Sequence, residues 1–285
     1  MSIRATLYSL LRQGHIEEGS LQRRQPEDGL TIAIPNWNHE FMLARSIHSA
    51  LNTLAVLKAL GINGEVMVSD DASRDGSVTL LHQLEALHSD DGLKVICQSK
   101  NTGPSILRNM MITRAKYRYV LFLDADNEVI PDNMPIFLQS IKDTEAAVVY
   151  GNLMVKPHGE DRVTGLHSNQ SYTDHIFEAN YIDNMALYDV TQLTDMGGYL
   201  HEKQIVEDWE LMNHLATNGR LIVFVPAILG IYYELPGSFV RDYDVDHHLK
   251  LIARMKRIYD QFGIRKQQMI KARHLRYHPD VGYII

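Results

Sequence analysis

Three carboxylate-rich stretches hold the residues best suited to chemistry, and each directly follows a run of β-forming residues. In "SDDASRDGS", Asp70 and Asp71 follow "EVMV", and Ser73, Asp75 and Gly76 form a turn. A carboxylate here can accept from the imide N–H of a uracil, or it can cap the next helix. In "LDADNE", Asp124 and Asp126 follow the apolar and aromatic run Tyr119 to Leu123. Residues two apart on an extended segment point the same way, so both carboxylates can face one hard cation, Mg2+ or Mn2+, whose open positions take phosphate oxygens. An Asx-rich turn is the plainer reading of a bare D-x-D. In "VEDWEL", Glu207, Asp208 and Glu210 open a helix, where acids also serve to complement the macrodipole.

The elements that must position these groups alternate regularly. From Leu30 the chain runs "LTIAIP", a helix at 39–60, "EVMVSD", a helix near 76–88, "LKVICQ", a helix near 104–115 and "YRYVLFLDAD". This rhythm predicts βαβ units and a mostly parallel sheet flanked by helices, with ligands beyond the carboxyl ends of its strands. After "AAVVYGNL" comes a polar segment, Lys156 to Asn180. It is followed by the strand "MALYDV", a helix at 207–218, the strand "LIVFVP", a separate apolar run "ILGIYYEL" and a helix near 244–262. The expected organisation is an extension and linker at 1–29, an α/β domain at 30–240, and a C-terminal helix and basic tail at 241–285.

Composition narrows the class. The chain has 285 residues, 45% of them hydrophobic, enough for one sizeable core. Its single cysteine, Cys97, excludes a disulfide framework and a cysteine metal site and fits a reducing, cytoplasmic setting. The most apolar stretch, Phe41 to Leu60, is broken by Arg45, His48, Asn52 and Lys58 and describes one buried helix face, not a membrane span. The net charge is -7, yet nine of the 28 Lys and Arg residues fall between Lys250 and Arg276 against one acid, Asp260. The rest of the surface is therefore strongly acidic, which argues against nucleic acid. The basic stretch suits peripheral contact with an anionic membrane surface or a lipid-phosphate acceptor, with a solvated helix face as the simpler account.

The order of the pieces says more than any one of them. "IAIPNWN", "VSDDASRDGS", "NTGPSILRN", "LFLDADNEV", "MGGY" and "EDWEL" together resemble glycosyltransferase family 2, with its GT-A-type, Rossmann-like fold, over about 30 to 238. The resemblance implies inverting transfer from a nucleotide-sugar, commonly a UDP-sugar, to a saccharide or lipid-linked acceptor, with a divalent metal. By position, Pro35 and Asn38 match the first nucleotide-contacting turn, Asp70 the carboxylate that reads the base, and Arg108 the basic residue near the nucleotide. Asp126 matches the direct metal ligand, and Asp124 the acid nearer ribose or phosphate that shares the metal. Gly197 and Gly198 match the turn lining the donor sugar, Asp208 the general base, and Trp209 would wall the acceptor site. A helix start at Asp208 is expected to keep it ionised at neutral pH.

One position departs from the family. Relatives carry a metal-binding histidine before a late P-G-S motif, where "YYELPGS" has Leu235. The third ligand is then water or another histidine, such as His247 or His248. Two other classes stay open: a non-catalytic nucleotide-sugar-binding module, and a nucleotidyltransferase, which would usually carry a Gly-rich basic loop where "IPNWNHE" has no glycine.

Overall fold

The computed structural model describes residues 25–173, 176, 180–199 and 207–235, and the backbone of two short strands at 276–278 and 282–284. The chain opens with β1 (Glu27–Asn36), α1 (Glu40–Ala59), β2 (Gly64–Asp70), α2 (Ser77–His88), β3 (Leu93–Cys97), α3 (Pro104–Arg114) and β4 (Tyr117–Phe122). It continues with β5 (Glu128–Val129), α4 (Met134–Thr144), β6 (Val148–Pro157), β7 (Gly165–His167) and β8 (Leu187–Asp189). Last come α5 (Val190–Met196), α6 (Glu207–Thr217), β9 (Ile222–Glu234) and the antiparallel pair β10 (Arg276–His278) and β11 (Gly282–Ile284).

β1 is buried on both faces because its side chains alternate between two cores. Leu30, Ile32 and Ile34 join the cluster built from α1, α2 and α4, while Ala33 joins the one built from α3, α5 and α6. On α1, Leu43, Ile47, Ala50, Leu54 and Leu57 recur every three or four residues and form its buried stripe. Truncating a fully buried member such as Ile47 would cost about 2–5 kcal/mol. The helix stops where Gly61 takes a φ of 74° and its N–H reaches back to the Lys58 carbonyl.

The main sheet runs β3-β2-β1-β4-β8-β6-β9-β5, with β7 added on β6. Its first four strands are parallel to one another, as the βαβ rhythm predicts. Beyond β4 the sheet becomes mixed: β8 is antiparallel to β4 and to β6, and β6 is parallel to β9. The chain winds from β1 outward to β2 and β3, then returns to the other side of β1 as β4. That reversal leaves a crevice between the carboxyl ends of β1 and β4, the usual ligand position in such sheets.

The runs "LIVFVP" and "ILGIYYEL" are one strand, β9, and not two. Its register against β6 slips on both sides of Asn152, which pairs with Ile228 whereas Gly151 pairs with Val225 and Leu153 with Gly230. Pro226, which cannot donate to the ladder, falls in this bulged stretch. Among the described residues, no helix is long and apolar enough to cross a membrane. The expected helix at 244–262, most of the basic stretch and the linker through residue 24 lie outside the described residues, and β1 begins at Glu27, three residues before the expected boundary.

Candidate functional site

On the β1 side of the crevice, two loops are laced together. Pro35 pairs with Ser69 of β2, while β4 leaves the ladder after Ala33, so the missing Pro35 N–H leaves no gap in the sheet. Asn38 takes a left-handed φ of 60°; its N–H donates to Ser73 Oγ at 2.9 Å and its Oδ1 accepts from Arg74 N–H at 2.7 Å. The Asp70 carboxylate accepts from Ser73 N–H, Ser73 Oγ and Asn36 Nδ2 at 2.6–2.9 Å and is fully buried. These three bonds organise its own turn. Its neighbour Asp71 accepts from the N–H groups of Thr102 and Gly103 and from Thr102 Oγ1, fixing the entry to α3. Asp75 caps, as its position in the turn suggests, accepting from Ser77 N–H and from Glu40 N–H.

What these loops leave open is a cleft of about 530 Å³ lined by Trp37, Ala72, Arg74, Ser99, Lys100 and Asn101. This volume suits a small organic ligand. Trp37 is 50% exposed, an unusual state for that side chain unless it has something to stack on.

On the β4 side, the strand ends in a tight turn in which Asn127 N–H donates to the Asp124 carbonyl at 3.0 Å. Helix α1 holds this turn by its backbone: Ser46 Oγ donates to the Asp124 carbonyl and Arg45 Nη2 to the Asp126 carbonyl. The intervening Ala125 is buried, and the two carboxylates remain on the partly open side. Burial and the neighbouring Asp124 push the Asp126 carboxyl up to about 7. Burial raises Asp124 as well, against the opposing pull of Arg108.

Arg108 lies beneath the site and faces three acceptors, not a ligand. Its side chain is 7% exposed and donates to Asp124 Oδ1 at 2.9 Å and to Glu207 Oε1 at 2.6 Å. A guanidinium has only donors, so the Asn184 amide turns its oxygen toward it, accepting from Nε at 2.6 Å and Nη2 at 3.0 Å. Burial disfavours the Arg108 charge, yet Asp124 and Glu207 outweigh burial and hold it well above its ordinary range. Arg108 thus ties the β4 turn to the start of α6.

At the start of α6 the two adjacent acids part ways. Glu207 is committed to Arg108, whereas among the described residues Asp208 receives only Asn180 Nδ2, at 3.2 Å to each oxygen, and the N–H of Trp209. Burial, with Glu207 and Asp183 adding to it, pushes the Asp208 carboxyl up to about 7. The helix start therefore does not hold it firmly ionised, contrary to expectation, because burial and two like charges outweigh the dipole. Trp209 does not wall an open site: it is buried in the core and its Nε1 donates to the Ile176 carbonyl.

Gly197 and Gly198, with φ of 83° and 70°, close the end of α5 by donating to the Thr194 and Leu193 carbonyls. They deliver Tyr199 inward, where Asn109 holds both its N–H and its carbonyl. The glycines act here as a chain reversal beside Arg108.

Among the described residues, no three His, Cys, Asp or Glu side chains converge on one point as a ready metal cage. Two raised carboxyls on one turn nonetheless fit Mg2+ or Mn2+, which need only one or two protein carboxylates when phosphate oxygens supply the rest. Leu235 offers no ligand, and His247 and His248 lie outside the described residues.

Sequence reasoning left Trp37, Asp71, Asp183 and His167 without roles. The aromatic in "IPNWN", at a strand end between polar residues, was the one local signal for the cleft. Nothing local marks Asp183 and His167, which meet only through the fold.

A profile of "Glycosyl transferase family 2" matches residues 31–195. Among curated proteins, the chain is 28% identical over 131 residues to the GalNAc(5)-diNAcBac-PP-undecaprenol beta-1,3-glucosyltransferase of Campylobacter jejuni, covering 46% of this chain and 40% of that one. The chain spans about half the length of the curated relatives it matches first. Among solved structures, S. aureus TarS 1-349 in complex with UDP-GlcNAc superposes with a TM-score of 0.62 at 19% identity, covering 82% of this chain and 71% of that one. The mannosyltransferase PcManGT from Pyrobaculum calidifontis, in complex with GDP-Man and Mn2+, gives 0.57 at 15% identity, covering 90% and 76%. With the profile spanning more than half of its length and the strand-end carboxylates in place, the chain belongs to glycosyltransferase family 2.

Proposed function

We propose that the chain is an inverting glycosyltransferase moving a sugar from a nucleotide diphosphate donor to a saccharide or lipid-linked acceptor hydroxyl. The observation that carries this reading is the Arg108 bridge, which joins Asp124 of the strand-end carboxylate pair to Glu207, the neighbour of Asp208, beside a nucleotide-sized cleft. Trp37 offers a ring face to the base, and Lys100 and Arg74 supply positive charge in an otherwise acidic protein. UDP is the favoured nucleotide by likeness to TarS, seen with UDP-GlcNAc; Oδ1 of Asp70, which among the described residues accepts only from Ser73 N–H, keeps acceptor capacity for a base.

Asp124 and Asp126 are the residues that would hold Mg2+ or Mn2+, and the bound cation neutralises charge on the departing diphosphate. Asp208 takes the proton of the acceptor hydroxyl as that oxygen attacks the anomeric carbon. The bond to the diphosphate breaks with its electron pair, and single displacement inverts the centre. A carboxyl poised near 7 is matched to that proton transfer at neutral pH. Glu207 is unsuited to it, because giving up its charge would leave Asp124 as the one charged partner of the buried Arg108 among the described residues. A lipid-linked acceptor, of the kind the Campylobacter relative's name describes, would place the basic stretch 250–276 at an anionic membrane surface on the cytoplasmic side, where nucleotide-sugars are made.

Calorimetry with UDP, in Mn2+ and in EDTA, tests the reading. Asp126→Ala is expected to abolish the Mn2+-dependent part of binding. Equal affinity in Mn2+ and EDTA for the native protein would remove the metal from this scheme.

A further inference from the structure

His167 and Asp183 form a pair that the scheme above does not use. His167 ends β7, where it pairs across the ladder with Leu153 of β6. Two strands over, Tyr232 of β9 pairs with Val155, and the His167 and Tyr232 rings meet edge to face at 5.6 Å. Asp183 sits on the approach to β8, its N–H donating to Ser168 Oγ at 2.7 Å and its Oδ1 accepting from Met185 N–H at 2.8 Å. Ser168, in a left-handed turn of φ 54°, is buried and dedicated to this contact. The remaining oxygen, Oδ2, faces His167 Nε2 at 3.4 Å.

The two partners differ in exposure. The Asp183 side chain is 12% exposed and the His167 side chain 40%, so the carboxylate is the fixed member and the imidazole reaches outward. Asp183 faces Nε2, and among the described residues no side chain or backbone group bonds to Nδ1. Tyr233, next to Tyr232, donates its N–H to Asn127 Oδ1 at 3.0 Å beside Asp126, and Asn180, three residues before Asp183, donates to Asp208 at 3.2 Å, so the pair is tied to both the diphosphate side and the base side. The group that must lie between those two sides is the sugar being transferred.

We propose that His167, oriented by Asp183, is a specificity-determining residue that hydrogen-bonds through Nδ1 to a hydroxyl or amide of the transferred sugar. This deepens the reading above and rests on it. The sugar reached this way is gripped from the mixed, antiparallel half of the sheet, while the base and diphosphate are gripped from the parallel half. Asp183→Asn preserves the Met185 contact but removes the charge that orients the ring. It should therefore reproduce part of the His167 effect without disturbing the fold.

The test measures affinity for UDP and for a panel of UDP-glucose, UDP-N-acetylglucosamine, UDP-galactose and GDP-mannose, in Mn2+, for the native chain, His167→Ala, His167→Gln and Asp183→Asn. His167→Ala should weaken the preferred sugar nucleotide about tenfold, as expected for losing one buried polar contact, and flatten the order of preference. Affinity for UDP alone should stay within about twofold. Gln should restore part of the loss. Unchanged ratios across the panel, or an equal loss for UDP and its sugars, would overturn the assignment. Absence of UDP binding by the native chain would instead overturn the function proposed above, so the two failures are distinguishable.

Discussion

Carboxylates stand at strand ends on both sides of the crevice, and the fold treats them in opposite ways. On the β1–β2 side, Asp70, Asp71 and Asp75 are each satisfied by N–H or hydroxyl donors from the adjoining loops. Burial works against the Asp75 charge, but donors from Ser77 and Glu40 prevail and hold it below its ordinary range. On the β4–α6 side, Asp126 and Asp208 are half-buried, near other acids and short of donors among the described residues, and both rise to about 7. The same residue type builds a scaffold where the chain supplies its partners. Where the chain withholds them, it leaves a group poised for a cation or a proton.

The comparison is broken or sharpened most forcefully at Asp208. Asp208→Asn should lower the transfer rate about 100- to 10,000-fold, the range for loss of a general base, with UDP affinity nearly unchanged. Glu207→Gln should keep measurable turnover and lose stability, because it strips Arg108 of a partner. A dead Glu207 variant beside an active Asp208 variant would exchange their roles.

On the satisfied side the larger effect is on stability. Asp71→Ala orphans the N–H groups of Thr102 and Gly103 and should cost about 1–3 kcal/mol, measured by urea unfolding. Asp126→Ala, on the unsatisfied side, should cost nothing and raise stability without metal at pH 7.5. If both variants destabilise alike, the contrast between the two sides is false.

The same contrast shows in the pH dependence. Asp126 and Asp208 keep their protons in the folded chain up to about pH 7, whereas unfolded aspartate releases its proton near pH 4. Between those values the folded state binds more protons, so without metal these two groups make stability fall as pH rises through that window and level off above it. Melting temperatures from pH 4.5 to 8 should show this decline, reduced by Asp126→Asn or by Mn2+.

The parallel half was legible because its signals are local: alternating apolar runs, Pro104 opening a helix and Gly61 closing one. The mixed half was less so. The bulge around Pro226 makes one strand read as two, because its continuity depends on β6. Asp124, Asp126 and Asp208 could be picked out by order and spacing, but what each carboxylate touches could not. Asp70 and Asp71 are neighbours in sequence, and only the folded loops decide that one closes its own turn while the other holds α3. Arg108 was visible as a basic residue, whereas its partner Glu207 lies 99 positions away.

The lacing of the two loops at the ends of β1 and β2 couples how they vary. Asn38 and Glu40 of the first loop exchange hydrogen bonds in both directions with Ser73, Arg74, Asp75 and Gly76 of the second. At Gly76 any side chain would begin about 2.1 Å from the Glu40 carboxylate. A change of length in either loop breaks bonds that the other loop makes, so the two are matched as a pair and a graft that keeps these bonds carries both.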